Sequence, residues 1–249
     1  MAKRLESTIH GKGRGKAARE ERERSSRLIS LMAHDVRTPL GSILMMAELL
    51  AENTSGQLGE RDLEYAANIQ HAAVEVRDVL NGVNLLSKLI SDRLEPELGR
   101  YETRAIIARL TTAMVPRAEA EGLSLDITYK KPMPRSILVD GERLIEGLGH
   151  LLEAAIEVSP QGSLSLELSS KGKKLHCLMR DQGGAIDEDR CLHLYEPFEH
   201  RARNGLRGSS KNLHMALAYA FARWMKGDLR LVDSDETGAT FEMVWPLGG

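Results

Sequence analysis

Residues 30–40 lie at the centre of a long segment with helical apolar periodicity, and they read Ser30-Leu31-Met32-Ala33-His34-Asp35-Val36-Arg37-Thr38-Pro39-Leu40. The segment has the 4-3-4-3 spacing of a coiled-coil seam, with apolar residues at Ile29, Ala33, Val36, Leu40, Ile43, Ala47 and Leu50. At roughly 100° per residue, His34 lies about 100° from Ala33, so its imidazole is expected to point away from the seam. Asp35 follows directly, and Thr38 lies one turn on, on the same helix face. An exposed imidazole beside a carboxylate can act as a nucleophile, although a surface histidine without chemistry fits the same pattern.

A second segment repeats this spacing and predicts a second helix, from about Glu60 to Leu94. Its seam positions are Ile69, Ala73, Val76, Leu80, Val83, Ser87 and Ile90. The polar residues between Glu52 and Gly59 predict a turn, so the two helices form an antiparallel hairpin. A hairpin is too narrow for a complete core, and pairing with a second copy would make a four-helix bundle. Packing of the hairpin on the C-terminal part of the same chain is the alternative.

After Pro96 the pattern changes to alternating short strands and amphipathic helices. Strands are predicted at 101–103, 123–129, 136–139, 163–168, 175–180, 228–233 and 240–245, and helices at about 104–121, 142–158 and 212–225. This order predicts a helix-on-sheet α+β sandwich.

The string from His34 to Leu40 closely resembles the phosphoacceptor motif of two-component sensor histidine kinases, and the resemblance extends over nearly the whole chain. In that family the histidine takes the γ-phosphoryl group of ATP and passes it to an aspartate of a response-regulator receiver domain. The resemblance implies that His34 is the phosphoacceptor and Asp35 the acidic partner that activates it. It also implies that Thr38 positions the water that dephosphorylates the regulator, and that the chain forms a homodimer.

The order and lengths of the C-terminal elements match the ATP-binding domain shared by histidine kinases, gyrase, Hsp90 and MutL. The predicted fold class is therefore α+β multidomain: an antiparallel helical hairpin that forms a dimeric four-helix bundle, followed by a GHKL-type α/β sandwich. We predict a flexible tail at 1–16, a dimerisation and phosphoacceptor domain at 17–95, and a degenerate ATP-binding domain at 96–249.

Two pieces of the family's nucleotide site depart from its pattern on the predicted helix 142–158. His150 and Ala154 stand where the family usually has asparagine. Alanine at the second place removes the side-chain oxygen that ligates Mg²⁺, and a methyl group cannot replace it. Glu153 is adjacent but about 100° round the helix, so it is a poor substitute.

The residues on the adenine side of the site follow the family's pattern more closely than those on the metal side. Asp181 stands where the family's adenine-reading carboxylate does, and Gly183 of the family's Asp-x-Gly-x-Gly motif is present, whereas Ala185 replaces the second glycine. Tyr195-Glu196-Pro197-Phe198 matches the aromatic box before the lid of the site.

The phosphate side departs furthest, because Asn212-Leu213-His214-Met215 occupies the place of Gly-Leu-Gly-Leu. Glycines there let backbone N–H groups approach phosphate. The sequence thus predicts a weak or lost nucleotide site at Asp181, Gly183 and His150, with weak or absent binding of ATP and Mg²⁺. Local compensation, with Asn212 or Glu153 holding the metal, is the alternative.

Three functions agree with these motifs. In the first, His34 exchanges phosphate with receiver domains and ATP binding is weak or absent. In the second, the chain is an active ATP-dependent histidine kinase with a divergent nucleotide site. In the third, it is a regulatory scaffold that dimerises with a kinase.

Composition limits the partners, the location and the metal sites to be expected. The net charge of −2 gives no reason to expect a nucleic-acid partner. No run approaches the roughly 18 apolar residues of a membrane span, and no signal peptide is visible, so a cytoplasmic protein is expected. The two cysteines do not suggest a disulfide framework, and Cys191 with His193 is too small a set for a metal, so no protein-metal centre is expected.

Overall fold

The computed structural model describes residues 36–37, 39–52, 56, 58–90, 95–186, 191, 193–196 and 211–248. The described residues fall into two compact units, one within Met1–Arg93 and one within Leu94–Gly249. The roles predicted for residues 1–16, 17–95 and 96–249 remain predictions.

The first unit is a helical hairpin. Residues 36, 37 and 39–52 are helical, the latter range being α1, and α2 is Glu60–Ile90. Arg37 Nη2 donates a hydrogen bond to Asn81 Oδ1 at 2.8 Å, which joins the beginning of the described part of the first helix to the last third of α2. Because the connection between the helices is short, this contact fixes them as antiparallel. The predicted hairpin is confirmed.

Only part of the seam is buried within one chain. Leu40, Ala47 and Ala73 are buried, as expected for the line along which α1 and α2 meet. Other seam residues are 42–54% exposed, namely Val36, Ile43, Leu50, Ile69, Val76 and Ile90. The hairpin therefore has an apolar stripe that its own two helices leave open to solvent.

Three helices and seven strands of the second unit have bounds within the described residues. In chain order they are β1 Gly99–Glu102, α3 Thr103–Ala120, β2 Leu123–Tyr129, β3 Ser136–Val139, α4 Gly141–Val158, β4 Gly162–Lys171, β5 Lys174–Arg180, α5 Lys211–Trp224, β6 Asp228–Asp235 and β7 Gly238–Pro246. None of the helices within the described ranges is long and apolar enough to cross a membrane.

Five strands form one sheet in the order β2-β4-β5-β7-β6, with β2 and β4 parallel and the other pairs antiparallel. β1 and β3 form a separate two-stranded sheet. Alternate strand residues are buried, which places one face of the large sheet against the core: Leu164, Leu166, Leu168, Leu175, Cys177, Met179, Phe241, Met243 and Trp245. The buried faces of α3, α4 and α5 complete that core, so the predicted α/β sandwich is confirmed.

Asp140 and Ser159 fix the two ends of α4. The Asp140 carboxylate accepts hydrogen bonds from the backbone N–H groups of Arg143 and Glu97, at 3.1 and 2.9 Å, and so caps the helix start. Ser159 follows the helix and accepts a hydrogen bond from the backbone N–H of Gln182 at 3.1 Å. The loop after β5 is thereby held against the end of α4.

Candidate functional site

The predicted phosphoacceptor set lies outside the described residues. His34, Asp35 and Thr38 have no described position, and their roles stay predictions. Of the described residues near them, Leu40 is buried, whereas Val36, which is also a seam residue, is 42% exposed.

Asp181 lies at the end of β5 and is buried. Its Oδ1 accepts hydrogen bonds from the backbone N–H groups of Gly183 at 2.9 Å and Ala239 at 3.0 Å. Its own N–H donates to the Ala239 carbonyl oxygen at 3.0 Å. A carboxylate with this many backbone contacts is rigidly placed, and it also ties the loop after β5 to the start of β7.

Two glycines allow this close approach of backbone segments. A Cβ at Gly183 would lie 2.7 Å from Val158 Cγ2, at the end of α4. Gly238 has φ +146°, and a Cβ there would lie 2.0 Å from the Asp181 carbonyl oxygen. Gly183 thus has a packing role at this place, independent of any nucleotide.

His150 lies on α4 and contacts His214 on α5. Their Nδ1 atoms are 3.0 Å apart, and the His150 ring also stacks on Phe221 with 5.9 Å between ring centroids. Burial, with a smaller contribution from His214, lowers the pKa of His150 to about 4, so this imidazole is neutral at pH 7. One Nδ1 therefore donates to the other in a hydrogen bond between the helices.

Ala154 and Glu157 extend the same face of α4. Ala154 is only 3% exposed, so the place of the expected metal ligand is a buried methyl group. Glu157 Oε1 lies 3.7 Å from His214 Nε2. Positions 150, 154 and 157 lie on one face of an α-helix. This spacing is visible in the sequence, but it identifies the cluster only once α5 is known to pack against that face.

Glu153, the alternative metal ligand, contacts a different helix. Its Oε2 accepts a hydrogen bond from Arg117 Nη2 of α3 at 3.0 Å. This direction agrees with its predicted displacement round α4. Of the other alternative, Asn212, the side chain lies outside the described residues.

Tyr195 and Glu196 are the described residues of the predicted aromatic box 195–198. The Tyr195 ring stacks on Tyr219 of α5, with centroids 4.4 Å apart, and burial raises the pKa of Tyr195 to about 12. Pro197 and Phe198 lie outside the described residues. Across the described positions, no group of three or more His, Cys, Asp or Glu side chains is placed to hold a metal ion.

Two family models match the chain. Residues 24–92 match the His Kinase A (phospho-acceptor) domain, and residues 139–249 match the histidine kinase-, DNA gyrase B- and HSP90-like ATPase. Together they cover most of the chain, in the order that defines two-component sensor kinases. The chain belongs to the histidine kinase family of two-component signal transduction proteins.

Relatives with assigned functions are distant and longer. The aerobic respiration control sensor protein ArcB of Escherichia coli is 23% identical over 229 residues, which are 89% of this chain and 29% of ArcB. Histidine protein kinase DivJ of Caulobacter vibrioides is 23% identical over 225 residues, 89% of this chain and 37% of DivJ. The chain thus spans only about a third of the length of each of these relatives.

Solved structures share the fold. Full-length ShkA, in a crystal structure with AMPPNP, has a TM-score of 0.74 at 23% identity, over 89% of this chain and 46% of ShkA. The histidine kinase AdeS of Acinetobacter baumannii has a TM-score of 0.61 at 18% identity, over 87% of this chain and 98% of that structure.

Proposed function

We propose that this chain is a histidine phosphotransfer protein that exchanges phosphate with response-regulator receiver domains through His34 and binds ATP weakly or not at all. An imidazole nitrogen of His34 attacks the phosphorus of a receiver's aspartyl phosphate, and the bond from phosphorus to the aspartate oxygen breaks. Asp35 draws the proton from the imidazole. Reversal of the step on a second receiver passes the phosphate on.

The observation that supports this proposal is the set of side chains at the place where the family's pattern expects Mg²⁺ and phosphate. The methyl of Ala154 is buried where a metal-ligating oxygen is expected, and His150 and His214 bridge α4 to α5 at 3.0 Å. One lost charge-assisted contact costs about 1.5–3 kcal/mol. At about 1.4 kcal/mol per tenfold, that is roughly a 10- to 100-fold loss of affinity for each contact.

Titration of the chain with ATP, with and without Mg²⁺, tests this proposal. Because the ligating oxygen is missing, we expect weak binding that Mg²⁺ changes by less than about threefold. Asp181→Asn is the matched control, since it keeps an acceptor for the N–H groups of Gly183 and Ala239 while it removes the charge. Binding in the micromolar range that requires Mg²⁺ and is lost in this variant would contradict the proposal.

An active kinase is the second candidate, and the adenine side of the site favours it. Asp181 is buried and held by two backbone N–H groups, as a base-reading carboxylate needs to be. The scaffold hypothesis has less support, because a scaffold needs no His34-Asp35-Thr38 chemistry.

The homodimer and the receiver belong to the same proposal. The half-exposed stripe of the hairpin, which includes Ile43 and Val76, would be covered by a second copy in a four-helix bundle. Met45 and Leu49 are 55% and 60% exposed on α1, and such residues suit the docking of a receiver domain. A monomer mass in sedimentation at micromolar concentration would contradict the dimer.

Thr38→Ala is expected to slow dephosphorylation of a phosphorylated receiver by about tenfold or more, because the hydroxyl positions the attacking water. Phosphate release from the receiver measures the rate. Ser42→Ala, four residues on in the sequence and exposed on α1, serves as the control and should leave the rate unchanged. Equal rates for the wild type and Thr38→Ala would remove this role.

A further inference from the structure

A polar cluster lies between α4 and α5, two helices whose facing surfaces are otherwise apolar. It consists of His150, His214 and Glu157, with the Nδ1 atoms of the two histidines 3.0 Å apart. His214 Nε2 lies 3.7 Å from Glu157 Oε1. Asp140 caps the start of α4, and buried Leu213 and Met215 flank His214 on α5. Both imidazoles are thus carried by well-packed helices.

The distance between the Nδ1 atoms is close to that of two ligands on one metal ion. Imidazole nitrogens at 2.0–2.1 Å from a tetrahedral Zn²⁺ are about 3.3 Å apart. Side-chain rotations that open the pair by about 0.3 Å, and turn each lone pair about 35° off the line between the two nitrogens, would bring both lone pairs onto one ion. Two neutral imidazoles bind the ion without net proton release if the ring that donates from Nδ1 changes tautomer, its proton moving to Nε2 of the same ring.

We propose that His150 and His214 ligate a transition-metal dication of the Zn²⁺, Ni²⁺ or Cu²⁺ class through their Nδ1 atoms. Imidazole nitrogen suits these ions, whereas Mg²⁺ takes oxygen ligands, so this site differs in chemistry from the Mg²⁺ site of an ATPase. The two imidazoles are the protein ligands in this proposal, and water would complete the coordination. The side chain of His214 is 28% exposed, which gives that water access.

Glu157 is the outer carboxylate of this site. Histidines that bind metal through one ring nitrogen usually direct the other N–H at a carboxylate or carbonyl, which fixes the tautomer and the ring. Glu157 lies on the Nε2 side of His214, as this arrangement requires. It therefore acts as a positioning residue and not as a ligand.

The test is a titration of the full chain, stripped with a chelator, with Ni²⁺ or Zn²⁺ alone. We expect one saturable site per chain, which His150→Gln and His214→Gln each weaken by at least about tenfold. Loss of the outer carboxylate in Glu157→Gln is expected to cost about 10-fold. His176→Gln is the matched control, because His176 also pairs with a carboxylate, Glu242 Oε1 at 2.8 Å, but on strand β5.

Unchanged affinity in both histidine variants would overturn the proposal. Should a variant fail to fold, X-ray absorption of the wild-type Ni²⁺ complex gives a direct answer, since fewer than two imidazole ligands per metal would also overturn it. The readout is metal binding, so a negative result leaves the His34 phosphotransfer proposal standing, since that proposal is tested by phosphate transfer and by ATP binding.

Discussion

Replacing His34 by glutamine is expected to reduce phosphate transfer from a phosphorylated receiver to this chain to background. A carboxamide has no nucleophilic nitrogen lone pair comparable to that of imidazole, so no phosphorus–nitrogen bond can form. Asp35→Asn should keep the nucleophile but slow transfer by about 10²-fold or more, because the proton acceptor is lost. Labelled phosphate on the chain, followed over time, measures both effects.

The control is His71→Gln. His71 lies on α2 of the same hairpin, its side chain is 79% exposed, and it pairs only loosely with Glu75, at 3.4 Å. His71 should accept no phosphate, and His71→Gln should leave the labelling of the chain unchanged. Full labelling of His34→Gln would place the phosphoacceptor elsewhere in the chain.

The second large effect is expected for Gly238→Ala. Backbone at φ +146° is open to glycine almost alone and costs another residue about 1–3 kcal/mol. The new Cβ would also lie 2.0 Å from the Asp181 carbonyl oxygen, and forcing two backbone segments apart adds about 1–3 kcal/mol. We expect a loss of about 2–6 kcal/mol in the free energy of unfolding of the second unit.

Gly172→Ala is the matched control for that substitution. Gly172 also has positive φ, at +61°, but nothing lies within 4 Å of the place that a Cβ would take, so only about 1–2 kcal/mol should be lost. Both tryptophans, Trp224 and Trp245, lie in the second unit, so their fluorescence during urea unfolding reports on that unit. Equal losses for the two variants would show that the contact with Asp181 carries no energy.

Hydrophobic periodicity predicted most of the helices and strands, because each of them depends mainly on the residues within it. The 4-3-4-3 spacing and the alternation of strand residues identified the hairpin and the seven strands. The prediction that Thr103 ends a strand is wrong, because this residue begins α3. The Thr103 N–H donates to the Arg135 carbonyl oxygen at 2.9 Å, and the Thr103 hydroxyl donates to the Pro134 carbonyl oxygen at 2.7 Å. Partners so far away in the sequence are not visible in a local pattern.

The sequence named the residues of the candidate site, whose roles stay predictions, but not how they are arranged. The resemblance identified Asp181, His150 and the altered positions Ala154 and His214. The hydrogen bond between the two histidines depends on how α4 packs against α5, and the two residues are 64 positions apart in sequence. Packing of that kind is a tertiary property, which neither periodicity nor motif spacing encodes.

A comparison of two phosphate sources on the same preparation of the chain tests most directly whether His34 takes phosphate from receiver domains and not from ATP. One sample receives labelled ATP with Mg²⁺, and the other receives a receiver domain carrying labelled aspartyl phosphate. We expect label on His34 from the receiver and none above background from ATP. Rapid labelling of His34 from ATP, with Ala154 in place, would contradict the phosphotransfer proposal.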